Sequence, residues 1–196
     1  MTYRNSRVHR LLNIAHRRSL TVGRDSRLIA IIACGAMAAA AVWAASADAK
    51  FIKSAAEGGM AEVQFGQLAQ QKASSQEVKD FGQRMVTDHT KANDELKSIA
   101  GKKGITLPTS PNSKQQAEYN RLQKLRGANF DREYMKLMVS DHRTDVSEFR
   151  KESESGSDAD IKAFAGKTLP TLENHLKMAE NTDAQVKGSS KTKSSK

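Results

Sequence analysis

Three residues of this chain pair a metal-ligating side chain with an inward-facing position: His89, His142 and His175, the only histidines beyond the first 49 residues. His89 stands four after Met85 and three before Ala92, His142 four before Val146, and His175 three after Leu172. At 3.6 residues per turn, each therefore falls on the apolar stripe of a helical segment. Glu62 does the same in an earlier segment, between Gly58 and Phe65. Three imidazoles and a carboxylate, one from each of four segments, form a donor set for zinc, iron, manganese or copper. His89 and His142 also close a repeated phrase, Met85-Val86-Thr87-Asp88-His89 and Met138-Val139-Ser140-Asp141-His142. Asp88 and Asp141 are candidate orienting acceptors for the imidazoles. Neighbours on a helix point about 100° apart, so an acceptor can belong to a different helix.

The spacing also narrows the chemistry. Carboxylate-bridged di-iron centres in helical bundles use Glu-x-x-His, because three residues bring both groups to one face. Here the pairs are Asp-His, Asp-His and Glu173-x-His175, and the last two groups lie about 200° apart. The competing account is a polar layer of histidines hydrogen-bonded across helices, without metal. A single cysteine rules out an internal disulfide framework and a cysteine-based zinc site. No nucleophile–base pairing or glycine-rich phosphate loop marks a hydrolase or transferase, so no catalytic residues are assigned. An oxidoreductase is the enzyme class least disfavoured. Met60, Met85, Met135, Met138 and Met178 recur at helical spacing and read as core filler before thioether ligands.

The positioning elements are helices throughout. Phe51, Ala55, Gly58, Glu62, Phe65 and Ala69 make one stripe, and Ser74-Ser75 breaks it, with Ser75 as an N-cap. Val78, Phe81, Met85, Ala92, Leu96 and Ile99 make a second, which Gly101 and Gly104 stop. Residues 101–127 then form a long connection with Pro108, Pro111 and a short amphipathic segment through Tyr119, Leu122 and Leu125. A crossover of that length lets the next helix run parallel to the last. The third stripe runs from about Asn129 to Ser153, and a fourth, capped by Ser157 or Asp158, carries Ile161, Phe164, Leu172 and His175, with Pro170 inside it. No strand pattern competes, so the expected fold is all-α: a ferritin-like four-helix bundle over residues 50–186, with one long crossover containing a short extra helix.

The net charge of +10 suggests nucleic acid until it is located. Residues 1–49 hold seven Arg against Asp25 and Asp48, and residues 187–196 hold four Lys and no acid. The body between them is nearly neutral and offers no basic face with aromatic interleaving, so nucleic acid is not an expected partner. Residues 1–27 form an Arg-rich n-region and residues 28–49 a signal-peptide core or uncleaved membrane anchor. Ala45-Ser46-Ala47 and Ala47-Asp48-Ala49 both fit the small-residue cleavage pattern. Either outcome puts the body outside the cytoplasm, in the periplasm or tethered to the membrane. Arg17-Arg18-Ser19-Leu20 loosely resembles a twin-arginine signal, and Ile31-Ile32-Ala33-Cys34 a lipoprotein box. Residues 187–196 read as a disordered Lys/Ser tail able to touch membrane or cell-wall polymer electrostatically.

Four separated motifs carry a family resemblance: Phe51 through Glu62, Met85 through His89, Gly127 through Tyr134, and Thr168 through Leu172 followed by His175. Together they resemble the bacterial domain-of-unknown-function family numbered four-one-four-two, whose members are often labelled outer-membrane or secreted proteins. The resemblance covers roughly residues 50–183 and implies a ferritin-like fold and an exported location, with no established activity. The expectation is an exported cell-envelope bundle, structural or stress-related and non-enzymatic. The alternative is a transition-metal-binding or storage protein built on Glu62, His89, His142 and His175.

Overall fold

The helices form where the apolar stripes lie. The structure, a computed structural model, describes the backbone of residues 26–194 and the side chains of residues 47–188. All five elements are helical: α1 (Ser26–Lys72), α2 (Gln76–Lys103), α3 (Ser113–Gln123), α4 (Gly127–Ser155) and α5 (Ala159–Ser194). The chain divides into two units, Met1–Ala39 and Ala40–Lys196, and the core and the polar centre belong to the second. The Arg-rich segment, the two export-signal resemblances and most of the apolar run lie outside the described side chains. Among the described residues, no helix is long and apolar enough to cross a membrane.

Local chemistry sets most boundaries. Ser75 caps α2 by accepting from the Val78 amide, as its position predicts. Gly101 does not stop that helix. Gly104 does, in the left-handed region at φ 67°, returning its amide to the Ala100 and Gly101 carbonyls. The crossover does contain a short helix, α3, opened by a reciprocal capping box between Asn112 and Gln115. Asp158 starts α5 by accepting from the Asp160 and Ile161 amides at 3.0 and 3.2 Å. That helix continues to Ser194, past Val186, where composition alone predicts a disordered tail. An ion pair from Lys187 back to Asp183 supports its first extra turn.

Two buried aspartates fasten the corners. Asp131, on α4, accepts from the Ser74 amide (3.0 Å), the Ser75 amide (3.0 Å) and the Ser74 hydroxyl at the α1–α2 corner. Asp48, on α1, treats the α4–α5 corner identically, accepting from the Ser157 amide (3.1 Å), the Asp158 amide (2.8 Å) and the Ser157 hydroxyl. Each donor and acceptor in one clamp has its counterpart 83 positions away in the other. The clamps also fix direction: α2 and α4 both begin beside the Asp131 corner, so they run parallel, as the long crossover permits.

The core falls into two clusters. One gathers Phe65, Phe81, Met85, Phe130, Tyr134 and Met138 with their neighbours. The other gathers Phe51, Leu96, Val146, Phe149, Phe164 and Leu172 with theirs. Burying each of these large side chains stabilises by about 1.5–3 kcal/mol. Between the clusters, α2 passes through His89, α4 through His142 and α5 through His175. The histidines thus interrupt the hydrophobic interior at one level. At that level α1 presents Gly58 and Gly59, and Asn93 lies so close over Gly59 that an added Cβ would stand 2.0 Å from its Oδ1.

Candidate metal centre

Three helices deliver the three imidazoles to one point. Ring centroids lie 5.7 Å apart for His89–His142, 5.4 Å for His89–His175 and 5.4 Å for His142–His175. One ring nitrogen from each comes within 4.8 Å of one from each of the others. Ligands on a tetrahedral ion at about 2.1 Å would stand roughly 3.4 Å apart, so a closure of about an ångström suffices. All three residues are buried, His142 completely.

The hydrogen bonds decide which nitrogens are free. The Met138 carbonyl lies 2.9 Å from His142 Nδ1, and a carbonyl only accepts, so Nδ1 carries the proton and Nε2 the lone pair. Asp88 Oδ2 lies 2.8 Å from His175 Nε2, which donates to it and leaves Nδ1 as the free base. His89 Nε2, His142 Nε2 and His175 Nδ1 are all buried without a hydrogen-bond partner. Burial drives all three rings toward the neutral form, and their mutual repulsion pushes His89 and His142 further. The His142 pKa falls to about 3, that of His89 moves well below its ordinary value, and that of His175 falls despite Asp88. Neutral imidazole is the form that ligates.

Asp88 fits the orienting role, toward the histidine of another helix. Burial works against its carboxylate, but hydrogen bonds from His175 and Arg84 outweigh that and keep its pKa low. Arg84, one turn before it on α2, donates to the same oxygen, Oδ2. Asp141 bonds no histidine and turns to a different place. It lines a cavity of about 200 Å³ between α1, α3 and α4, together with Glu62, Asp145, Glu118, Glu148 and Lys114.

Glu62 is buried, as its stripe predicts, at 2 % exposed. It lies with Asp141 and Asp145 in the acidic cavity and outside the gathered imidazoles. Burial, then repulsion from Asp145 and Asp141, pushes its pKa well above the ordinary value, and its Oε2 has no hydrogen-bond partner. The nearby Tyr134 hydroxyl is likewise buried without one. Asp145, not singled out by the stripe pattern, is pushed up to about 8 by burial and by Asp141 and Glu148. Burial also raises Asp141, to about 6. The signal that finds Asp145 is the 83-residue offset of the two clamps, which carries Glu62 onto Asp145 as it carries Phe81 onto Phe164.

The model of the domain of unknown function DUF4142 matches residues 34–182. A comparison with curated proteins of known role gave no match. Among solved structures, the chain is similar to a DUF305 protein of Streptomyces coelicolor, provisionally described as secreted. The two share 16% identity at TM-score 0.62, over 71% of this chain and 92% of that one. It is similar to a DUF305 fragment from Deinococcus radiodurans at 13% identity and TM-score 0.62, over 71% of this chain and 96% of that one. At such identities the likeness speaks for the helical fold alone. The family match spans most of the sequence and both histidine phrases, and the chain belongs to the DUF4142 family.

Proposed function

We propose that this protein is an exported transition-metal-binding protein whose centre is His89, His142 and His175. One observation carries the reading: three buried imidazoles from three helices meet with a free nitrogen each. A purely structural polar layer would use those nitrogens on one another or on the backbone. Leaving a buried polar group unpaired costs about 1–3 kcal/mol, and three together are a large cost for a protein to carry without return. A borderline divalent ion returns it by accepting all three lone pairs. Imidazole donors without thiolate suit copper and zinc, with copper(II) the tighter by general affinity order. Asp88, polarising His175, strengthens one ligand in the manner of carboxylate–histidine–metal triads.

The architecture that supports this reading is a ferritin-like four-helix bundle, α1, α2, α4 and α5, with α3 in the crossover. Export is supported by the Arg-rich and apolar leader and by the secreted description of one structural relative. The test is metal analysis of protein purified without a His-tag, followed by thermal melting with added copper or zinc. The reading expects stoichiometric uptake and a rise in Tm, both lost in His89→Gln, His142→Gln and His175→Gln variants that remain folded. A wild type that takes up no metal and gains no stability overturns it.

A further inference from the structure

The acidic cavity and the histidine centre share a wall. Beside His89 lies a second, water-sized cavity of about 20 Å³, bordered by Asn93 and Thr168. Gly58 and Asp145 line both this small cavity and the 200 Å³ acidic one. Gly58 puts no side chain into the wall, and a Cβ built there would meet only Gln115 Nε2, at 3.9 Å. One glycine and one carboxylate therefore stand between an open acidic chamber and the nearest imidazole.

We infer that the acidic cavity is the port through which a hydrated divalent cation reaches the histidine centre, held on the way by Glu62, Asp141 and Asp145. The inference rests on the metal-binding reading above and adds its route. The cavity has room for an ion with six waters, each roughly 30 Å³. Its walls carry five carboxylates against one ammonium, that of Lys114. Glu62 Oε2, buried and without a partner, is a waiting acceptor for water on such an ion. The carboxylates hold the ion through its water instead of stripping it. Among the described residues only the three histidines bring ligand atoms within 4.8 Å of one another, so dehydration belongs to the inner centre. Five acidic side chains to one basic one bias the chamber toward cations, and burial keeps Glu62 and Asp145 protonated until an entering ion displaces their protons to water.

The experiment separates rate from affinity. Metal-free full-length protein is mixed with Co²⁺ or Cu²⁺ in a stopped-flow instrument, and the visible absorption of the bound ion is followed at several ionic strengths. Glu62→Gln combined with Asp145→Asn, which have no proton to give up to the ion, should slow loading about tenfold, while the equilibrium spectrum stays that of the wild type. Gly58→Leu should slow loading and release together, leaving the dissociation constant within about threefold, as a plug in a shared path does. Thermal melts of each variant establish that it is folded. Wild-type binding with loading rates unchanged in all variants overturns the port alone. A changed spectrum in the Asp145→Asn protein overturns it in favour of Asp145 as a direct ligand. No binding by the wild type overturns the histidine centre and the port together.

Discussion

Asp48 and Asp131, at the two corners, and the polar groups midway between them are all buried, yet they are treated oppositely. Each corner aspartate accepts three hydrogen bonds from a serine-bearing turn. Glu62, His89, His142 and His175 each keep one buried atom with no partner. Both arrangements take polar atoms out of water, so burial alone does not distinguish a structural group from a reactive one. The use made of the lone pairs does. At the corners both aspartates commit their oxygens to the fold, whereas at the centre the capacity is held in reserve.

The sharpest break of this contrast is at a corner. Asp131→Ala leaves the Ser74 and Ser75 amides without their acceptor and should cost about 3 kcal/mol in urea unfolding, metal or no metal. The centre should respond in the reverse sense. Metal at a hundredfold excess over its dissociation constant should stabilise the wild type by about 2.7 kcal/mol. His142→Leu should lose all of that gain. Without metal it should lose no more than about 1 kcal/mol, because the apolar group gives up the Nδ1 bond to the Met138 carbonyl but no longer buries the unpartnered Nε2.

A smaller effect comes from pH. In the folded chain Asp145 holds its proton to about 8 and Glu152 to about 7, while the unfolded chain has released both by pH 6.5. The folded state therefore binds more protons in that window, and stability falls as pH rises from 6.5 toward 8. Asp145→Asn should flatten this limb by about 1 kcal/mol, measured by chemical unfolding at pH 6.5 and 8. The histidines work the other way. Their folded pKa values lie below the unfolded 6.5, so they cost stability as pH drops beneath it, against the opposing slope of the carboxylates. The smallest change is expected from Arg84→Gln, which removes a half-exposed partner of Asp88 and should cost about 0.4 kcal/mol by urea unfolding.

Much of this arrangement is legible in the sequence because helical period is a local property. The spacing of His89, His142 and His175 against Met85, Val146 and Leu172 suffices to turn all three inward. Whether they meet depends on depth along the axes, which the corner clamps and the crossover set through contacts far apart in sequence. The conspicuous repeat also misleads as to equivalence. The two Asp-His phrases lie 53 residues apart, whereas the structural correspondence runs at 83. Asp88 and Asp141 accordingly do different things, one orienting His175 and the other lining the acidic cavity. Asp145 escapes the stripe pattern because it stands beside Val146 and reads as the polar margin of α4. Gly58 reads only as one more stripe position and Gly59 leaves no hydrophobic trace, although the two border the space that His89 faces.

The clamp at Asp48 bears on how a leader can be removed. The two small-residue patterns, Ala45-Ser46-Ala47 and Ala47-Asp48-Ala49, overlap there, and cuts at the two would differ in whether this aspartate stays with the body. A cut after Ala49 would discard the carboxylate that ties down Ser157 and Asp158, and the shortened chain would have one corner unfastened. On the proposed export, processing should therefore fall after Ala47 or earlier, and amino-terminal sequencing of a processed form should show a chain that retains Asp48.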